Sequence, residues 1–130
     1  MTVDPVEKAR VKRGDQFTAK IKVNVKPGFH VNSNAPDDEY LIPLKLTWTP
    51  GPLAAQDIVF PQPERIKSAF STKPLPVFTG TFEIQAKFKV APAADTGPNM
   101  ATGKLRYQAC NEKECLQPKT IDVNIPLDIR

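Results

Sequence analysis

Long apolar runs are missing from this chain. None approaches the roughly 18 residues that a membrane-spanning helix needs, and the opening Met1-Thr-Val-Asp-Pro5 has neither the basic start nor the apolar core of a secretory leader. This opening is read as an added start on an excised domain, with a leader or further domains in the parent chain left open. Helical periodicity is missing too: no segment repeats its apolar residues at the 3.6-residue spacing of an amphipathic helix. Histidine occurs once, at His30, and cysteine twice, at Cys110 and Cys115. Three such residues fall short of the four ligands of a structural zinc site. A Gly-rich phosphate loop, a Ser-centred elbow and a paired-carboxylate arrangement are all absent, which removes the common nucleotide-binding and hydrolase classes. The net charge of +4 comes from lysines spread singly along the chain, such as Lys20, Lys22, Lys45, Lys87 and Lys89. A nucleic-acid surface would need them clustered with interleaved aromatics, so no nucleic-acid partner is expected.

What the chain has in quantity is proline, 14 in 130 residues. Prolines disfavour helix interiors and punctuate short extended elements. Between them run segments in which every second side chain is apolar, the period of a half-buried strand. In Gln16 to Val25 the apolar set is Phe17, Ala19, Ile21, Val23 and Val25. In Thr81 to Val90 it is Phe82, Ile84, Ala86, Phe88 and Val90. Leu41 to Trp48 reads as another strand, with Trp48 in the core. Phe29 to Asn32 reads as a short strand after a Pro27-Gly28 turn, and Gln56 to Phe60 as an edge strand. Lys104 to Ala109 and Lys119 to Ile125 complete the set. Ser33 to Asp38, Thr49 to Pro52 and Ala91 to Thr102 read as loops. Glu64 to Gly80, which carries Phe70, Leu75, Val77 and Phe78 among prolines, reads as irregular. About seven to nine short strands with turn signals between them predict an all-β, immunoglobulin-like β-sandwich. One domain over residues 1–130 is expected, with residues 1–14 loosely ordered.

Cys110 and Cys115 stand at the two ends of the connection between the last two alternating runs, with four residues between them. Cysteines facing each other across a hairpin mouth can reach the Cα separation that a disulfide requires. A bridge closing a ring of about six residues contributes only about 2 kcal/mol through chain entropy. It is therefore a weak staple, but spacing alone leaves a structural bridge and a reactive pair both open. The lone His30 has the same two readings: a structural strand residue, or a base near the thiols, since imidazole titrates near neutrality and can stabilise a thiolate.

The stretch Tyr107-Gln-Ala-Cys110 followed by Cys115 and Pro118 resembles the family of the amino-terminal periplasmic domain of the thiol:disulfide interchange protein DsbD. The closing run Lys119 to Leu127 is similar to that family's last strand. Pro27-Gly-Phe-His-Val31 is similar to its aromatic strand beside the active site. Phe78-Thr-Gly80 with Glu83 and Ile84 is similar to its cap loop, in which a Phe shields the cysteine pair. The sequence departs from the family in three places. Its best-known members have one residue more between the cysteines. They carry acidic residues where Pro76 and Val77 stand here, and tyrosines where His30 and Asn32 stand.

The resemblance implies a periplasmic disulfide relay. Reducing equivalents pass from a membrane-embedded reductase domain, through Cys110 and Cys115, to thioredoxin-like periplasmic proteins. It implies Cys115 as the nucleophile, Cys110 as the resolving cysteine and Phe78 as the cap, with His30 and Tyr107 as neighbours of the pair. It implies no metal and no cofactor, no membrane insertion of this segment, and a monomer. Two other classes compete with it: a non-catalytic interaction module with a structural hairpin disulfide, and a Cu(I) carrier using Cys110, Cys115 and His30.

Overall fold

Every element of the computed structural model is extended. It describes residues 1–37, 40–51, 53–68 and 71–130. Among these the strands are β1 (Thr2–Val3), β2 (Ala9–Val11), β3 (Gln16–Asn24), β4 (His30–Asn32), β5 (Lys45–Trp48), β6 (Leu53–Val59), β7 (Glu64–Ser68), β8 (Ser71–Phe78), β9 (Thr81–Val90), β10 (Gly97–Tyr107), β11 (Ala109–Cys110) and β12 (Lys119–Ile129). They form three four-stranded sheets, ordered β1-β3-β9-β6, β2-β12-β10-β5 and β11-β4-β8-β7.

The two long sheets follow directly from alternation. On β3 and β9 the apolar residues meet as register pairs, Phe17 with Phe88, Ala19 with Ala86, Ile21 with Ile84 and Val23 with Phe82. Opposed apolar pairs on one face are what hold an antiparallel ladder in register. On β10 and β12, Leu105 meets Ile121 and Ala101 meets Ile125. Between these pairs the outward Lys104 and Asp122 make an ion pair of 2.7 Å. Both of its partners are solvent-exposed, so it contributes little to stability. The inner faces close on one core that includes Ile21, Ile84, Phe88, Leu105, Ile125, Leu127 and Ile129. Trp48 of β5 meets Phe88 of β9 edge-on, ring centroids 4.8 Å apart, and so joins the two sheets. The all-β sandwich expected from the sequence is the architecture observed.

Residues 1–14 contribute two short strands: β1 pairs antiparallel with β3, and β2 pairs parallel with β12. Three local expectations are revised. The strand expected from Leu41 begins only at Lys45; Pro43 cannot donate to a ladder, and the Leu44 amide bonds the Ser33 carbonyl instead. The loop expected over Ala91 to Thr102 ends early, because β10 starts at Gly97. The irregular stretch Glu64 to Gly80 is a hairpin of β7 and β8. Pro74 and Pro76 are compatible with β8 because β4 pairs only with its last two residues, Val77 and Phe78. Among the described residues no second strand pairs with Pro74, and on its second side Pro76 uses its carbonyl, which accepts from the Ser33 amide at 3.0 Å, so the missing N–H groups break no second ladder. Phe70, Pro52 and Asp38, which figured in the sequence reading, lie outside the described residues.

The third sheet sits where the site is. After β3, Val25 bonds the Gly80 carbonyl through its amide. Gly28, at φ 85°, then turns the chain into β4. That left-handed conformation favours glycine.

Gly103 of β10 lies opposite Trp48 in register. A methyl group there would meet the indole Cε3 at 2.6 Å and the Thr47 carbonyl oxygen at 2.9 Å. Gly103→Ala is expected to destabilise the domain by about 1–3 kcal/mol through overpacking. Urea unfolding followed by Trp48 fluorescence checks this, and an unchanged midpoint would refute it.

Candidate functional site

The site is a small hairpin inside a larger one. β10 and β12 run together until Tyr107 faces Lys119. The segment between them folds back on itself. The Leu116 amide donates to the Ala109 carbonyl at 2.8 Å, and the Asn111 amide donates to the Glu114 carbonyl at 2.9 Å. Cys110 and Cys115 fall between those two hydrogen bonds and face each other as an isolated bridge. Residues opposed without mutual hydrogen bonds are the close pairs of an antiparallel ladder. Here the two Cα atoms are 4.0 Å apart and the sulfurs are joined as a disulfide. A turn over residues 111–114 thus accounts for the spacing.

Asn111 shapes that turn. Its side-chain Oδ1 accepts from the amides of Lys113 and Glu114, both at 2.8 Å. This is the local side chain-to-backbone bonding for which Asn favours turns. Gln108 adds a hydrogen bond from Nε2 to the Leu116 carbonyl at 3.1 Å. The sequence reading passed over Asn111, although an Asn directly after the first cysteine of a short loop was the available signal.

The hairpin is tied to the third sheet by β11. Ala109 pairs with Val31, and Cys110 pairs with His30. The structure therefore brings the lone histidine directly opposite one cysteine. Both are buried, Cys110 at 3% and His30 at 8% exposure. Cys115, by contrast, is exposed. Burial lowers the His30 pKa from its ordinary value of 6.5, so the imidazole is neutral at pH 7 and available as an acceptor. Tyr107 is buried in the core below the hairpin mouth. Burial raises its phenol pKa, so it stays protonated.

Phe78 is the residue expected as the cap. It is 3% exposed, belongs to the main core, and stacks on Phe82 with ring centroids 4.7 Å apart. Its register partner is Val31, which also faces Ala109. Side chains alternate between the faces of a strand. Phe78, Val31 and Ala109 therefore share the core face, while His30 and Cys110 share the other. The register thus puts Phe78 on the face of this sheet opposite to Cys110.

Beside the hairpin runs an open groove of about 890 Å³, lined by Lys26, Phe29, His30, Ile66, Lys67 and Glu112 among others. Among the described residues no group of three His, Cys, Asp or Glu side chains is placed to hold a metal ion. No helix among them is long and apolar enough to cross a membrane.

The profile of the family described as "Thiol:disulfide interchange protein DsbD, N-terminal" matches residues 1–126. The chain belongs to this family. Its fold is similar to the reduced amino-terminal domain of DsbD from Neisseria meningitidis, with TM-score 0.52 and 19% identity over 85% of this chain and 77% of that one. It is also similar to the seventh ScaB type I cohesin from Pseudobacteroides cellulosolvens, with TM-score 0.50 and 16% identity over 96% of this chain and 89% of that one. At these identities the likeness concerns the fold, an immunoglobulin-like sandwich. No curated protein matches the sequence. Family membership and a cysteine pair at disulfide distance together support thiol–disulfide exchange as the general chemistry.

The placement of Phe78 yields a prediction. Phe78→Ala is expected to cost about 3–5 kcal/mol of unfolding free energy, as truncations of buried Phe do. Phe78→Leu, which keeps most of the volume, is expected to leave the alkylation rate of reduced Cys115 unchanged. A rise in that rate would return Phe78 to the role of a cap.

Proposed function

We propose that the domain carries reducing equivalents in the periplasm, taking them from a membrane-embedded reductase domain and delivering them to thioredoxin-like proteins. The reaction is exchange between the Cys110–Cys115 pair and a disulfide of the partner. The observation that carries this reading is the unequal burial of the two sulfurs' residues: Cys115 is exposed and Cys110 is 3% exposed. A pair that only stapled the hairpin would have no need of an exposed half. A pair that reacts with a protein needs one sulfur that a partner can reach and one held back to finish the reaction.

In this reading the reduced Cys115 thiolate attacks the partner's disulfide. A mixed disulfide forms and one partner sulfur leaves as a thiolate. Cys110 then attacks Cys115, the Cys110–Cys115 bond forms, and the second partner sulfur leaves. The partner gains two electrons and this domain is oxidised. Leu116, 37% exposed and next to Cys115, gives a partner an apolar contact at the point of reaction. The family's periplasmic setting supports the compartment, and an oxidising compartment is where a protected dithiol has a use. The domain acts as a monomer and needs no cofactor, since thiol exchange is complete with two cysteines and a partner disulfide.

Cys110→Ser separates the two steps. Mixed in reduced form with an oxidised thioredoxin-like protein, it is expected to accumulate a mixed disulfide through Cys115, because the resolving thiol is gone. Cys115→Ser is expected to accumulate far less. Equal trapping by both variants, or by neither, would contradict the assignment; non-reducing electrophoresis with mass spectrometry reads it.

A further inference from the structure

The second step of the exchange poses a chemical problem. Only a thiolate attacks a disulfide, and the sulfur that must attack belongs to a buried residue with little access to water. A proton acceptor has to be near it. The register supplies one candidate, because His30 of β4 is the direct partner of Cys110 on β11. Directly opposed residues of an antiparallel pair project to the same face with Cβ atoms about 4.5–5.5 Å apart. An imidazole is long enough to close the remaining distance to a sulfur.

We infer that His30 is the proton acceptor for Cys110 in the resolving step. This deepens the exchange reading above and rests on it. The Cys110 thiol gives its proton to an imidazole nitrogen, and its electron pair attacks the Cys115 sulfur of the mixed disulfide. The Cys110–Cys115 bond forms, the bond from Cys115 to the partner sulfur breaks, and that sulfur leaves with the electron pair. The imidazolium then returns its proton to the departing thiolate or to water through the groove. No oxidant beyond the partner disulfide is consumed.

Two further observations fit. The imidazole is kept neutral by burial, which is the form that can accept. The groove lined by His30 gives a proton a way out. The charged side chains lining that groove are Lys26 before β4, Lys67 on β7 and Glu112 on the hairpin; the two lysines disfavour an imidazolium and the carboxylate favours one. From β8, which packs on the other side of β4, the paired residues are the uncharged Val77 and Phe78. The nearest polar neighbour on β4, Asn32, is engaged with the Ile42 carbonyl at 3.0 Å. His30 is thus the titratable group best placed to take the Cys110 proton.

The test uses the reduced protein and the small disulfide dithiobis(nitrobenzoate). Cys115 releases the first coloured thiolate on forming a mixed disulfide, and closure by Cys110 releases the second. The two phases report the two steps separately. In His30→Gln the second phase is expected to slow by about a hundredfold at pH 7, the lower end for loss of a general base, with the first phase little changed. The pH profile also changes: the wild-type closure rate levels off above the histidine pKa, whereas the variant's keeps rising with hydroxide. A structural role alone would not move that profile. A companion measurement needs no variant. The single histidine is followed by NMR through a pH titration in both redox states. A Cys110 thiol donating to the neutral ring is expected to lower its midpoint relative to the disulfide form. An unchanged second phase with an unchanged profile overturns the role of His30 and leaves the exchange reading standing, and so does one midpoint in both states. A wild type that never releases the second thiolate overturns both.

Discussion

Two backbone hydrogen bonds set the geometry on which the site depends. The amides of Leu116 and Asn111 hold the carbonyls of Ala109 and Glu114, and between them the two cysteines have no choice but to face each other. Nothing about the sulfurs themselves requires this. The turn over residues 111–114 is closed by the Asn111 side chain, so it is a locally encoded structure with little dependence on distant contacts. A pair preorganised in this way can open and close its disulfide without the hairpin having to be found again each time.

The sandwich gives this hairpin an orientation. Because β11 continues from β10 and pairs with β4, one cysteine is pressed against a sheet and the other is turned outward. The difference between a buried and an exposed cysteine is therefore a property of topology, produced where two sheets of one chain meet. The core beneath has a different task. Its aromatic contacts, Phe17 on Phe88 at 5.4 Å and Trp48 on Phe88 at 4.8 Å, lock the long strands and leave the mouth of the β10–β12 hairpin at a fixed place. Scaffold and chemistry are separable here: residues that stabilise the first need not touch the second.

Much of the framework was legible because alternation is a local signal. The stretches around Ile21 and Ile84 announce one wet and one dry face without knowledge of their neighbours. The elements that were misjudged are those whose form depends on the neighbours. Pro74 and Pro76 argue against a strand until it is known that β4 reaches only the end of β8. Gly97 and Pro98 suggest a loop until β12 is there to pair with them. The short β1 and β2 exist only because β3 and β12 offer free edges. The cysteine pair was visible in sequence for the same reason as β3, since its geometry is local. The opposition of His30 and Cys110 was not, because it depends on a register between strands far apart in the chain. The side of the sheet on which Phe78 lies was hidden likewise: a motif fixes a position, whereas a face is fixed by pairing.

The central claim is that the Cys110–Cys115 disulfide is exchangeable. Equilibration of the folded domain with glutathione buffers of graded redox poise, read by alkylation and mass spectrometry, tests it most directly. The account predicts a midpoint well above about −300 mV, the region below which structural disulfides of secreted proteins lie. A disulfide that stays intact across all glutathione buffers, with the domain folded, would contradict it.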